Sequence, residues 1–113
     1  MGDKKYQLRY LPSFSEELDH CVSYIAFKLK NITAANDLID DVESAIIKRL
    51  EDGPEKFESV ISRKDRINPY YRIYLRNYVI YYVVLEEHGN KIMEVRRFTH
   101  ALENRDYMIG IGE

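Results

Sequence analysis

The chain has 113 residues, 45% hydrophobic and 32% charged, with a formal net charge of −2. That suits a single domain spanning residues 1–113 around one modest core, and weighs against indiscriminate binding along nucleic acid. It contains no run near the roughly 20 apolar residues of a membrane span, and MGDKKYQLRY lacks the apolar segment of an export signal, so a cytoplasmic protein with no membrane partner is expected.

Tyr6, Leu8 and Tyr10 alternate with Gln7 and Arg9, predicting a first strand that Pro12 ends. Ser13 with Glu16 three residues on has the spacing of a capping box, and Leu18, Cys21, Val22, Ile25 and Leu29 recur at helical spacing as far as Asn31. Cys21, the lone cysteine, falls on that apolar face, where a buried free thiol is expected rather than a nucleophile or metal ligand. Thr33 is placed to cap a second helix to about Leu50, with Leu38, Val42, Ala45, Ile46 and Leu50 on one face, and Asp52-Gly53-Pro54 supplies its stop. The two helices should form an antiparallel hairpin.

Past Pro54 the composition shifts to β-branched and aromatic residues. A short strand is expected near Glu58 to Ser62, then a basic loop reaching Asn68-Pro69. Tyr71, Ile73 and Leu75 alternate with Arg72, Tyr74 and Arg76, which predicts a strand with one apolar face and one cationic, aromatic face. Asn77 marks a tight turn, Tyr78 to Leu85 reads as a central strand apolar on both sides, and Glu86 to Asn90 with Gly89 makes the next hairpin loop. Met93, Val95 and Phe98 break strict alternation, which predicts a bulge around Arg96-Arg97. The expected fold class is α+β: an N-terminal strand and helical hairpin packed on a three- to four-stranded, mainly antiparallel sheet.

Charge is unevenly spread. Residues 1–61 carry 8 Lys/Arg against 12 Asp/Glu, net −4, whereas residues 62–113 carry 9 against 7, net +2. Arg63, Lys64, Arg66, Arg72 and Arg76 face only Asp65 between Ile61 and Tyr78; this is either a solvated loop or a localised polyanion contact. No phosphate loop and no Cys/His pair at ligand spacing is present, so neither metal nor cofactor is expected, and Asp37, Asp40, Asp41 and Glu43 read as a solvated helix face. His20 and His88 read as structural or incidental. Metal-free RNA cleavage needs a base, a proton donor and cations for the phosphorane. Arg72, Arg97, His100, Arg105 and Tyr107 are of the right types and are expected to converge at one end of the sheet. The alternative is that Arg96 and Arg97 pair with Glu94 or Glu103 and that the tyrosines pack on the helices.

Tyr71-Arg72-Ile73-Tyr74-Leu75, Asn77 to Val84, Arg97-Phe98-Thr99-His100 and Arg105-Asp106-Tyr107 together resemble the RelE/ParE family of bacterial type II toxins. YLPSFSEELDHCVSYIAFKL and RLEDGP look like that family's opening strand and helical hairpin. The resemblance implies a plasmid-stabilisation type of toxin neutralised by a cognate antitoxin, as a homodimer or a toxin–antitoxin heterotetramer. In RelE-like members such residues cleave messenger RNA on the ribosome; this mRNA interferase reading makes Arg72, Arg97, His100, Arg105 and Tyr107 catalytic, and Arg63, Lys64, Arg66 and Arg76 RNA-binding. ParE-like members share the fold and instead bind DNA gyrase without hydrolytic chemistry. The acidic balance and the short Arg105-to-Tyr107 spacing depart from the RelE-like pattern.

Overall fold

The computed structural model describes residues 6–59 and 68–100. Strand β1 (Gln7–Tyr10) leads into helix α1 (Pro12–Ser23), which continues as a π-helical turn over Tyr24–Lys28. Helix α2 (Ile32–Asp52) follows, then a 3-10 turn at Pro54–Lys56 and strands β2 (Tyr71–Leu75), β3 (Tyr78–Glu87) and β4 (Asn90–His100). The strands form one sheet in the order β1-β4-β3-β2, antiparallel except that β1 runs parallel to β4. This is the expected α+β fold, with a mixed sheet.

The core lies between the helices and one face of the sheet. Phe14 from α1 and Leu38, Val42 and Ile46 from α2 meet Ile73, Ile80, Tyr82, Met93, Val95 and Phe98. The i, i+4, i+8 spacing on α2 accounts for that helical stripe. As predicted for a central strand, β3 is buried on both sides from Val79 to Val83. Val79 and Tyr81 form a second cluster on the face away from the helices, where Tyr70 meets Tyr81 edge-on at 6.2 Å.

Local chemistry moved several boundaries. Leu11, not Ser13, is the N-cap of α1, because Pro12 takes the first helical position, where its missing N–H costs nothing. Ser13 therefore lies inside the helix and spends its hydroxyl on the Arg96 carbonyl at 2.8 Å. Asn31, not Thr33, caps α2: its Oδ1 accepts the Ala34 N–H at 3.0 Å. Gly53 ends α2 at φ 102°, a left-handed backbone that favours glycine. Of the strand expected near Glu58, only a bridge from Ser59 to Tyr71 is seen, and 60–62 lie outside the described residues. The β3–β4 turn is shorter than expected, with His88 and Gly89 both at positive φ (52° and 82°), as a two-residue hairpin favours. The predicted bulge is present: Tyr81 pairs with Arg97 and Tyr82 with Val95, leaving Arg96 as the extra residue.

One buried hydroxyl ties three elements together. Tyr82 Oη donates to the Pro54 carbonyl at 2.7 Å and accepts from Arg49 Nη1 at 2.9 Å, and the same Arg49 nitrogen donates to the Arg72 carbonyl at 3.1 Å. Burial pushes the Tyr82 phenol up to about 12, outweighing the Arg49 guanidinium, which lowers it. An unfolded tyrosine ionises near 10. Above that pH the unfolded chain loses a proton that the folded chain keeps, so this contribution is intact below about pH 10 and is lost as pH rises towards 12. Urea unfolding should show a Tyr82→Phe variant less stable by about 1–2 kcal/mol at neutral pH, through the donor lost at Pro54. Its stability should also fall less steeply than wild type between about pH 10 and 12.

Candidate functional site

Past Val95, strand β4 has no strand partner on its β1 side among the described residues. Strand β1 ends at Tyr10, opposite Val95, and the Leu11 N–H makes the last backbone contact, to the Val95 carbonyl at 2.9 Å. The side chains of α1 take over from there. Ser13 serves the Arg96 carbonyl, and Glu17 Oε1 accepts the Phe98 N–H at 2.8 Å. Glu17 also holds Arg97 in a forked ion pair, with Nε at 2.9 Å and Nη2 at 2.7 Å from Oε2. Such a bidentate pair fixes the guanidinium's direction as well as its charge.

Beside this pair a groove of about 350 Å3 opens between α1 and the end of the sheet, with Glu16, His20, Cys21, Tyr78, Arg97 and His100 among its lining. Helical spacing puts Glu16 with His20, and Glu17 with Cys21, on neighbouring turns. Tyr78 stacks on Phe98 with centroids 4.9 Å apart and meets His100 edge-on at 5.4 Å. The Cys21 thiol donates to Tyr78 Oη at 3.3 Å, and Cys21 is partly buried on the core, near the expectation of a buried thiol. Burial first, then the thiol contact, raises the Tyr78 phenol to about 12. It is therefore a protonated phenol at neutral pH, able to donate but not to act as a base.

The expected convergence is not what the described residues show. Arg97 and His100 line the groove, but Arg72 lies on the sheet face opposite His100; Arg97, in register with Arg72 through Tyr81, reaches Glu17 of α1 instead. Arg72 pairs with Tyr81 and His100 with Tyr78, and Tyr81 and Tyr78 are three positions apart, so they point to opposite sides. The neighbours agree: Tyr78 packs on the helix-side core and Tyr81 in the cluster beyond the sheet. Arg72 sits with its guanidinium 5.7 Å from the Tyr74 ring centre. Arg76 pairs with Asp41 of α2. Arg63, Lys64, Arg66, Arg105 and Tyr107 lie outside the described residues.

On the face away from the helices, Glu94 is only 5% exposed, yet it is bracketed by Arg9 Nε at 3.0 Å and Arg96 Nε at 2.7 Å. Arg96 Nη1 also donates to Tyr70 Oη at 3.2 Å. The pairing of Arg96 with Glu94 is the structural alternative weighed for that residue; Arg97 took Glu17 instead. Among the described residues no group of three or more His, Cys, Asp or Glu is placed to hold a metal ion, and no helix is long and apolar enough to cross a membrane.

The sequence alone does not single out Glu17, and His20 reads in it as incidental. The 16/20 and 17/21 spacings were the available signal for one groove-lining face, but the Glu17 partnership with Arg97 spans 80 positions.

A family model for the ParE toxin of the type II toxin–antitoxin system parDE matches residues 8–105. No curated protein matches the chain.

If Glu17 holds the end of β4, Glu17→Ala and Arg97→Ala should each destabilise the fold by about 1–3 kcal/mol, as loss of a charge-assisted hydrogen bond does. Chemical denaturation of the double variant should return a loss well below the sum of the singles; additive losses would mean that the pair does not act as a unit.

Proposed function

Because the chain belongs to the ParE toxin family of type II toxin–antitoxin systems, and so has a cognate antitoxin as partner, we propose that it acts by binding its target rather than by cleaving RNA. The target class is the one the family resemblance implies, the DNA gyrase type of topoisomerase, held in a state that damages DNA. The observation that carries this reading is the engagement of Arg97. A phosphate clamp needs a guanidinium that can turn to an incoming phosphate, and Arg97 is forked onto Glu17, which also holds the Phe98 N–H. Releasing it would expose the end of β4 as well as an unpaired carboxylate, an expensive exchange in a partly buried setting.

Two further placements support the same reading. Metal-free cleavage by 2′-hydroxyl attack needs its base and its cations within reach of one phosphate. Arg72 and His100 stand on opposite faces of the sheet. Arg76, the other strand cation, is matched by Asp41. An interface makes no such demand, since charged and aromatic residues on separate faces can each meet a different part of a large partner.

The test is induction of the chain without its antitoxin in growing bacteria, with messenger RNA ends mapped in the first minutes and DNA double-strand breaks assayed in parallel. Intact messages with DNA breaks are expected, and Arg72→Ala combined with His100→Ala should leave message ends unchanged. New cuts within translated codons, abolished by that double variant, would replace the binding reading with a ribosome-dependent endoribonuclease acting on mRNA.

A further inference from the structure

The helical hairpin is polarised from end to end, in shape as well as in charge. At its tip, where the π-helical turn meets α2, Phe27 is 75% exposed, Ile32 63%, Leu29 56% and Tyr24 53%. Four large apolar side chains in nine residues form a contiguous patch of the kind that marks an interaction site. Residues 24–32 also carry Lys28 and Lys30 and no acid. The backbone there is irregular: the Leu29 N–H reaches the Tyr24 carbonyl five residues back at 3.1 Å, and Lys30 sits at φ 55°. Such π-turns occur frequently at functional sites.

Nearer the other end, the two helices leave an open apolar groove of about 180 Å3, walled by Tyr10, Phe14, Leu18, Ile39, Val42 and Ile46. An apolar cavity of about 150 Å3 suffices to bind benzene, so this groove has room for one phenyl ring. Glu43 also lines it. Glu43 is the one charged residue of that lining, which includes no lysine or arginine. The groove is thus an apolar socket with the Glu43 carboxylate in its wall, and the tip a basic, aromatic plug.

We propose that the chain pairs with a second copy of itself through antiparallel docking of the two helical hairpins, the Phe27 tip of each seated in the α1–α2 groove of the other. Both halves of the contact are present on every copy. Antiparallel docking therefore makes the contact twice about a two-fold axis and closes at a dimer. It also sets the lysines of each tip against Glu43 of the other groove, which steers the encounter and favours the antiparallel arrangement. The pairing covers the exposed tip and the groove together. It is independent of whether the toxin binds topoisomerase or cuts RNA.

The test is sedimentation equilibrium of the purified full-length chain over a concentration series at low and high salt. A monomer–dimer equilibrium is expected, weakening as salt screens the lysine–carboxylate contacts. Phe27→Glu, a change at an exposed position, should weaken the dimer by more than about tenfold while leaving the circular dichroism spectrum unchanged. Glu43→Lys should do the same from the other side. An equimolar mixture of Phe27→Glu with Glu43→Lys should associate more tightly than either variant alone, because the mixed dimer keeps one intact contact. A monomer at every concentration, a dimer indifferent to both substitutions, or open-ended growth beyond two copies would each overturn the proposal. So would a monomeric chain in which Phe27→Glu weakens only antitoxin binding, which would assign the tip to the antitoxin.

Discussion

Strand β4 is eleven residues long and β1 only four, and the rest of the structure depends on how that mismatch is made good. A strand edge without a partner leaves backbone donors and acceptors unsatisfied and invites pairing with other chains. Here α1 starts directly after β1, so its first turns pass alongside the β4 residues that β1 does not reach. Ser13 meets the Arg96 carbonyl, and Glu17 meets the Phe98 N–H and the Arg97 guanidinium. Side chains of a helix thus stand in for a strand. The same contacts fix α1 on the sheet, place the wall of the His20–His100 groove and engage the groove-lining Arg97.

The bulge at Arg96 belongs to the same device. The extra residue keeps Phe98 opposite Ile80 in the core and sets Arg97 opposite Tyr81; from there Arg96 pairs with Glu94 and Tyr70, and Arg97 reaches Glu17 on α1. Without the extra residue, alternation would carry Phe98 out of the core. Glu94, nearly buried, is acceptable only because Arg9 and Arg96 approach it from both strands' sides. Arg9, Arg96 and Arg97 thus each have a structural use, holding a carboxylate.

Much of this was legible in the sequence because it is written in short periods. The alternation of Tyr71, Ile73 and Leu75, the doubly apolar run of β3, the stripe on α2 and the lapse of alternation before Phe98 each depend on neighbours within a few residues. What escaped depends on register or on distant partners. That Arg72 and His100 oppose one another follows from their pairing with Tyr81 and Tyr78, three positions apart on β3; one residue of slip would have put them on the same side. Glu17 and Arg97 are 80 positions apart. The capping-box spacing at Ser13 and Glu16 misled because Pro12 is a better first helical residue than Ser13, which freed the serine hydroxyl for β4.

The helical hairpin answers to a different constraint. Its inward stripe is committed to the core, and a helix pair on a small sheet has little surface left over for hydrophobic residues. Phe27, Leu29 and Ile32 nevertheless remain exposed at the tip, and no requirement of the fold described here is met by leaving them so. Their lysine neighbours keep such a patch soluble, while the opposite charge around the α1–α2 groove gives it a preferred destination. The sheet end and the hairpin thus divide the work: one spends its charges on holding strand β4, and the other keeps its charges at the surface, where a partner can read them. Because the sheet end is self-sufficient, the charges of the hairpin tip stay available to whatever meets that surface.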